Sequence, residues 1–286
     1  MILVIGGHSK IGSALIDDLA ARGEPVRAMV RSGESADSFP AGVETVLGDL
    51  ADRASLDAAM EGADKLFLLC GPTQDEVEFN QNAIDAAAAA GLSLVVRSSI
   101  LGADPNSPAT FVRDHGISDA ALRDSGLRHA IVRPNMFMEN IPENTVPSID
   151  ANGNLYANAG DARLSMVDTR DVAAVAAALL TESSHQEGVY DVTGPEALSY
   201  QDVAGKLSSR LGRQIAFVDV PDDAVRQTLL GFGMGEWMAG GLVDLFQGYK
   251  RSGTDGYAAA VTDTVQRVTG RAPRSLDMML EERVQP

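Results

Sequence analysis

The 286-residue chain has a single cysteine, Cys70. No internal disulfide can form, and a reducing cytoplasm is the expected location. No apolar run approaches the ~20 residues of a membrane span, and no basic segment precedes the first apolar run, so neither a membrane anchor nor a secretion signal is expected. Positive charge is scarce. Lys and Arg number 23 against 40 Asp and Glu, a formal net charge of −17, which disfavours direct contact with nucleic acid. The four histidines are scattered without ligand spacing, so no metal site is expected. Repeats and low-complexity blocks are absent.

What is present begins at once. The apolar run Ile2–Ile5 enters Gly6-Gly7-His8-Ser9-Lys10-Ile11-Gly12, and Ile11, Leu15 and Leu19 then recur every four residues. That pattern predicts a strand, a tight glycine turn and a helix. A helix N-terminus placed there offers unpaired N–H groups and a positive dipole end to a pyrophosphate, as in dinucleotide-binding βαβ units. A P-loop is excluded, because Ser13 stands where its lysine must be. Ser9 occupies the position of the middle glycine, where a small hydroxyl is able to donate to a phosphate oxygen.

Further along, short apolar strands alternate with helical stretches, the signature of a doubly wound parallel sheet. Strands are predicted at 25–30, 43–50, 65–70, 92–96 and 130–132, with helices over 54–60 and 76–90. Ligands bind such sheets at the carboxyl ends of the strands. Arg31-Ser32 follows the second strand, and no acidic residue stands there to bind a ribose 2′-hydroxyl. The pair suits a 2′-phosphate, so NADPH is the expected cofactor, in preference to NADH. Asp49-Leu50 closes the third strand; the Asp is read either as an acceptor for an adenine amino group or as a cap of the next helix. Cys70-Gly71-Pro72 closes the fourth, its small residues permitting close approach of the adenosine ribose. Cys70 reads as a buried strand-end residue.

The segments Arg97-Ser98-Ser99, Gly102-Ala-Asp104, Ser125-Gly-Leu127, Arg133-Pro134-Asn135-Met136-Phe137-Met138-Glu139-Asn140, Val167-Asp-Thr-Arg170-Asp171-Val172 and Tyr190-Asp-Val-Thr-Gly194-Pro resemble the NmrA-like branch of the atypical short-chain dehydrogenases/reductases. The similarity runs along essentially the whole chain. It implies a Rossmann-type sheet and an NAD(P)H cofactor held by residues 6–12, Arg31, Ser32, Asp49, Leu50, Cys70, Gly71, Pro72, Ser98, His115, Pro134, Asn135 and Phe137. It also implies a role in catalysis for Ser98 and His115. Related enzymes carry a Tyr-x-x-x-Lys pair; the matching register here is Phe111-Val-Arg-Asp-His115. Phenylalanine cannot donate a proton. His115, with an ordinary pKa of about 6.5, is read as a proton donor or a contact to the nicotinamide ribose.

The expected architecture is therefore α/β, with a Rossmann domain over 1–140 and a smaller, mainly helical substrate domain over 141–286. Segments around 160–195 are expected to return to the sheet. Phe137 and Met138, with Phe232, Met234 and Trp237 from a glycine-spaced apolar stretch at 229–241, are candidates to wall the substrate pocket. Those glycines suit a mobile lid, with a dimer contact or plain core as the alternative, and Phe137 and Met138 read equally as core. Asp168 and Asp171 are read as a turn and helix cap. The expected activity is NADPH-dependent hydride transfer to a hydrophobic, aromatic acceptor such as a quinone, by a monomer or homodimer. A redox sensor that binds NADP(H) without turnover and a cofactor-retaining isomerase are the alternatives.

Overall fold

The computed structural model describes residues 1–31, 39–184 and 187–285; Ser32 lies outside them. The strands are β1 (Ile2–Ile5), β2 (Val26–Val30), β3 (Glu44–Leu47), β4 (Lys65–Leu68), β5 (Leu94–Ser98), β6 (His129–Pro134), β7 (Asn154–Ala157), β8 (Gly188–Val192) and β9 (Ala216–Asp219). Seven form one sheet in the order β3-β2-β1-β4-β5-β6-β8, every pair parallel. The order reverses between β1 and β4, which opens a crevice at their carboxyl ends. Strand β1 is buried throughout, as a central strand covered on both faces must be.

The helices are α1 (Lys10–Ala21), α2 (Arg53–Met60), α3 (Glu76–Ala90), α4 (Thr110–Asp124), α5 (the single turn Val146–Ser148), α6 (Thr169–Thr181), α7 (Tyr200–Leu211), α8 (Asp222–Gly231), α9 (Glu236–Ser252), α10 (Thr264–Thr269) and α11 (Leu276–Arg283). One sheet face is covered by α1, α6 and α10; the predicted Ile11, Leu15 and Leu19 are all buried there, with Val172, Val175 and Leu179 opposite. The other face is covered by α2, α3 and α4 through Leu56, Met60, Ile84 and Leu122. Each covered face removes apolar surface from water at about 25 cal/mol per Å².

A third core lies off the sheet. Ile141, Leu155, Leu164, Met166, Tyr200, Val203, Leu207, Tyr249 and Met279 pack together, around the two-stranded parallel sheet β7-β9. Met138 belongs to this core, with no exposed surface. Its expected place in a pocket wall is thus corrected: it points into the packing of the second unit, where Gly194 closes on its methyl group.

The strands expected at 43–50 and 65–70 end earlier, at Leu47 and Leu68, because the residues that follow turn out of the sheet to form the crevice. Gly48 N–H still donates to Val30, and Asp49 N–H then turns to Ser55 Oγ. The stretch 229–241 is a helix corner between α8 and α9, turned at Gly233 with φ +82°. Gly241 does not loosen α9: a Cβ there would lie 2.4 Å from the Phe111 ring, so the glycine lets α9 close on α4.

Candidate functional site

Four parallel strand ends converge on a cavity of about 490 Å³, and ten of the predicted cofactor residues line it: Gly6, Gly7, His8, Ser9, Arg31, Asp49, Leu50, Cys70, Gly71 and Pro72. Gly6 has φ +86°, and a Cβ on it would lie 2.5 Å from the Leu69 carbonyl oxygen. Only glycine permits that turn from β1 into α1 against the end of β4. Gly12 is tighter still, since a Cβ there would lie 2.1 Å from the Gly6 carbonyl oxygen. This glycine seats α1 against the strand.

Ser9 is the N-cap of α1, with φ −70° and ψ 161°, and its Oγ accepts from Gly12 N–H at 3.0 Å. Extended backbone of that kind needs no glycine. The hydroxyl proton is left to donate, so the departure at Ser9 supports the helix and keeps a donor at its mouth. At Gly71 a Cβ would meet nothing within 4 Å; this residue leaves room rather than filling it. The cradle fits a dinucleotide. Arg31 is exposed at the end of β2, on the same rim as Asp49. Asp49 Oδ1 accepts from Ala51 N–H, while the cap of α2 is Asp52, which accepts from Ala54 N–H. The capping alternative for Asp49 is therefore corrected.

Three of the remaining predicted residues have structural roles. Ile11 is core, Gly12 is internal to α1, and Lys10 Nζ pairs with Glu143 at 2.5 Å beside the neighbouring cavity. Cys70 is buried, and desolvation, then the Glu76 carboxylate, push its thiol up to about 12; it is no nucleophile at neutral pH. Ser98 and Pro134 end β5 and β6 and are buried. Asn135 Nδ2 donates to Ser165 Oγ and to the Ala258 carbonyl, and its Oδ1 accepts from Met136 N–H. Those bonds commit the side chain to fixing the loop after β6. Phe137 is half-buried against the core under α1 and α6.

His115 is on α4, one turn after Phe111, and its pKa is not ordinary. Burial first, then the cations Arg97 and Arg133, hold it well below 6.5. That direction disfavours the imidazolium form of the ring. It belongs to a buried polar cluster that the sequence reading missed. Arg97 Nε donates to Asn80 Oδ1 at 3.1 Å, and its Nη1 donates to Asp119 Oδ1. Asp119 Oδ2 accepts from Ser99 Oγ at 3.0 Å and from Arg133 Nε at 2.9 Å. His115 Nδ1 lies 3.1 Å from Glu76 Oε1 and 3.2 Å from Arg97 Nη2. Burial pushes Glu76 up to about 7, with Arg97 opposing and Asp114 and Asp119 assisting. The sequence signal was an arginine inside an apolar strand, facing polar residues four apart on two helices: Glu76 and Asn80, His115 and Asp119.

Of the proposed pocket residues, Trp237 packs edge-on against Phe111, ring centroids 5.3 Å apart. Met234 is half-buried, and Phe232 is 84% exposed at the α8–α9 corner. Asp168 caps α6, accepting from Arg170 N–H at 2.8 Å. Asp171 accepts from Arg274 N–H at 2.6 Å. Both are structural. Among the described residues no three His, Cys, Asp or Glu side chains assemble as metal ligands, and no helix is long and apolar enough to cross a membrane.

Residues 6–183 match the model of a family described as NAD(P)H-binding. The chain is 37% identical to an NAD(P)H azoreductase of Xenophilus azovorans over 276 residues, 96% of this chain and 95% of that one. It is also 37% identical, over 96% of its length and 94% of the relative's, to the (4-alkanoyl-5-oxo-2,5-dihydrofuran-3-yl)methyl phosphate reductase of Streptomyces griseus. Among solved structures, the NADPH-dependent quinone oxidoreductase of Escherichia coli in complex with NADPH superposes with a TM-score of 0.89 at 25% identity, covering 99% of each chain. With the parallel sheet, the glycine cradle and these relatives together, the chain belongs to the NAD(P)H-binding family.

Proposed function

We propose that this NAD(P)H-dependent oxidoreductase uses NADPH to reduce a flat, hydrophobic acceptor of the quinone or azo type, without a tyrosine donor. The observation that carries the reading is Trp237 lying edge-on against Phe111, one helical turn before His115. That aromatic pair would wall the acceptor one helical turn from the imidazole of α4, in the register where related enzymes have tyrosine and lysine. The azo and quinone chemistry named for the relatives points the same way.

The α1 N-terminus, with Gly7 and Ser9, would hold the pyrophosphate through N–H groups and the Ser9 hydroxyl. Arg31 would pair with the 2′-phosphate, and its fork suits that group better than a ribose hydroxyl. When bound, the nicotinamide supplies hydride. The protein's part is to hold the acceptor in reach, exclude water with Trp237 and Met234, and supply a proton. Neutral His115 suits the last task, since Nε2–H is a donor whenever Nδ1 is an acceptor. We propose further that the core around β7, β9, α7 and α9 acts as the substrate-covering unit.

The test is direct. Purified protein with NADPH and a small quinone should consume reduced nicotinamide over many equivalents, in proportion to enzyme. Saturable NADPH binding without consumption by any quinone, azo dye or enone would overturn the reductase reading.

A further inference from the structure

Glu76 is in contact with His115, but nothing in hydride transfer itself calls for a buried carboxyl group there. The geometry limits what the pair can be. Arg97 Nη2 and Glu76 Oε1 both lie within 3.2 Å of His115 Nδ1. Arginine has no acceptor. If Nδ1 carries no proton, its one lone pair accepts either from Arg97 or from a protonated Glu76. If Nδ1 carries the proton, it donates to an ionised Glu76, which Arg97 Nη2 also approaches at 3.4 Å. A proton lies between Oε1 and Nδ1 whenever Glu76 or Nδ1 holds it, and Arg97 Nη2 then turns its N–H to Glu76. Only the proton's owner changes.

The surroundings favour a neutral imidazole in both states. Facing the pair are Arg97 from β5, Asp114 and Asp119 from α4, Arg133 from β6, and Cys70 from the end of β4. Asp119 is held by both arginines, so its charge is already matched. The Glu76 side chain is 2% exposed and that of His115 is 10% exposed. Glu76 is thus the more enclosed of the two.

Resting on the reductase reading above, we propose that Glu76 and His115 form a proton relay in which Glu76 holds the proton and His115 passes it on without becoming a cation. In the loaded state Glu76 is a carboxylic acid donating to Nδ1, and His115 bears its hydrogen on Nε2. A bound NADPH would supply hydride, and the two-electron-reduced acceptor would be an anion on oxygen or nitrogen that needs one proton. The Nε2–H bond breaks as that anion takes the proton. The Glu76 O–H bond breaks as its proton moves to Nδ1. The pair ends as carboxylate and Nδ1–H imidazole, with Arg97 beside the new charge, and solvent restores one proton. Glu76 is a positioning residue acting through His115, and the cation that burial, Arg97 and Arg133 disfavour is never formed.

The loaded state is present below the Glu76 pKa of about 7 and is lost as pH rises through it. Two readouts test this. The first needs no substrate: nitrogen-15 imidazole spectra of the wild-type protein, with His115 assigned by loss of its signal in His115→Gln. The expected result is a neutral ring throughout, its hydrogen moving from Nε2 to Nδ1 between about pH 6 and pH 8. In Glu76→Gln the ring should keep one tautomer over that range. The second is the pH profile with a quinone: wild-type kcat should fall above about pH 7, while Glu76→Gln should be slower by about 10- to 100-fold and flat.

An imidazolium signal from His115 in that range, or a fixed tautomer in the wild type, overturns the relay even if quinone is turned over. A tautomer switch that Glu76→Gln abolishes upholds the proton-holding pair even if no acceptor is reduced, and the reductase reading then fails on its own. Should Glu76→Gln not fold, the wild-type titration decides.

Discussion

Two glycines at the cofactor cradle should respond oppositely when each becomes alanine, because one faces backbone and the other faces open space. At Gly12 the new Cβ would lie 2.1 Å from the Gly6 carbonyl oxygen, 2.8 Å from its carbon and 2.9 Å from Gly7 Cα. All three are backbone atoms, so no side chain can rotate away, and α1 must lift from β1. Over-packing of this kind costs about 1–3 kcal/mol, and a purely backbone collision belongs at the upper end. Alanine returns about 1 kcal/mol through helix propensity, leaving a net loss of about 2 kcal/mol. At roughly 2–4 °C per kcal/mol for a chain of this size, Gly12→Ala should melt about 4–8 °C below wild type. At Gly71 nothing lies within 4 Å, so Gly71→Ala should melt within about 1 °C of wild type. Its methyl group would stand in the cavity, however, and NADPH affinity measured by nicotinamide fluorescence should fall about tenfold, a loss of about 1.4 kcal/mol. Thermal melts without cofactor and the binding titration check both halves. A Gly12→Ala melt unchanged from wild type, or an equal drop for Gly71→Ala, would refute the division into a packing glycine and a ligand-facing one.

Arg31→Ala should weaken NADPH binding by about 10- to 100-fold, the range of a charged hydrogen bond, and leave NADH binding nearly unchanged; equal losses would mean that the 2′-phosphate is read elsewhere. The Cys70 thiol, pushed up to about 12 by burial, should resist a thiol-specific disulfide reagent at pH 8 in the folded protein and react fully in denaturant, and fast labelling of the native state would contradict its burial. Arg97→Met would leave Glu76 and Asp119 without their buried partner, a loss of about 3–5 kcal/mol. Urea unfolding should show it as a lower midpoint, and an unchanged midpoint would mean that Arg133 alone suffices for Asp119.

The sheet is legible in the sequence because its signals are local and repeated. Ile2–Ile5, Glu76–Ala90 and the spacing of Ile11, Leu15 and Leu19 declare strand and helix within a dozen residues, and parallel sheets place ligand residues at strand ends by rule. Ten cofactor candidates gather at one cavity on that basis alone. What escapes is long-range. Arg97, Glu76, Asp119 and Arg133 meet only when β5, β6, α3 and α4 pack, and nothing in the spacing within any one segment fixes that meeting. Met138 misleads for the same reason: a methionine beside a pocket and one inside a core look alike until the partner surface is known. The His115 pKa follows the cluster, since two distant arginines and burial, not its own neighbours in sequence, hold it down.

The core off the sheet has a consequence for how the molecule can move. The chain passes from the sheet to this core after Pro134, returns at Val167, leaves again after Val192, returns at Val265, and ends in it from Leu276. These five crossings tie the two halves side by side, and Asn135 bolts the first to the Ala258 carbonyl. A body strapped this way cannot swing open on one hinge; its cheapest motion is a small sliding shear. Nor does any single cut of the chain release one half intact, so a protease nick at a surface loop should leave the molecule whole until it is denatured. Any exchange of the half off the sheet between related enzymes must splice several segments at once.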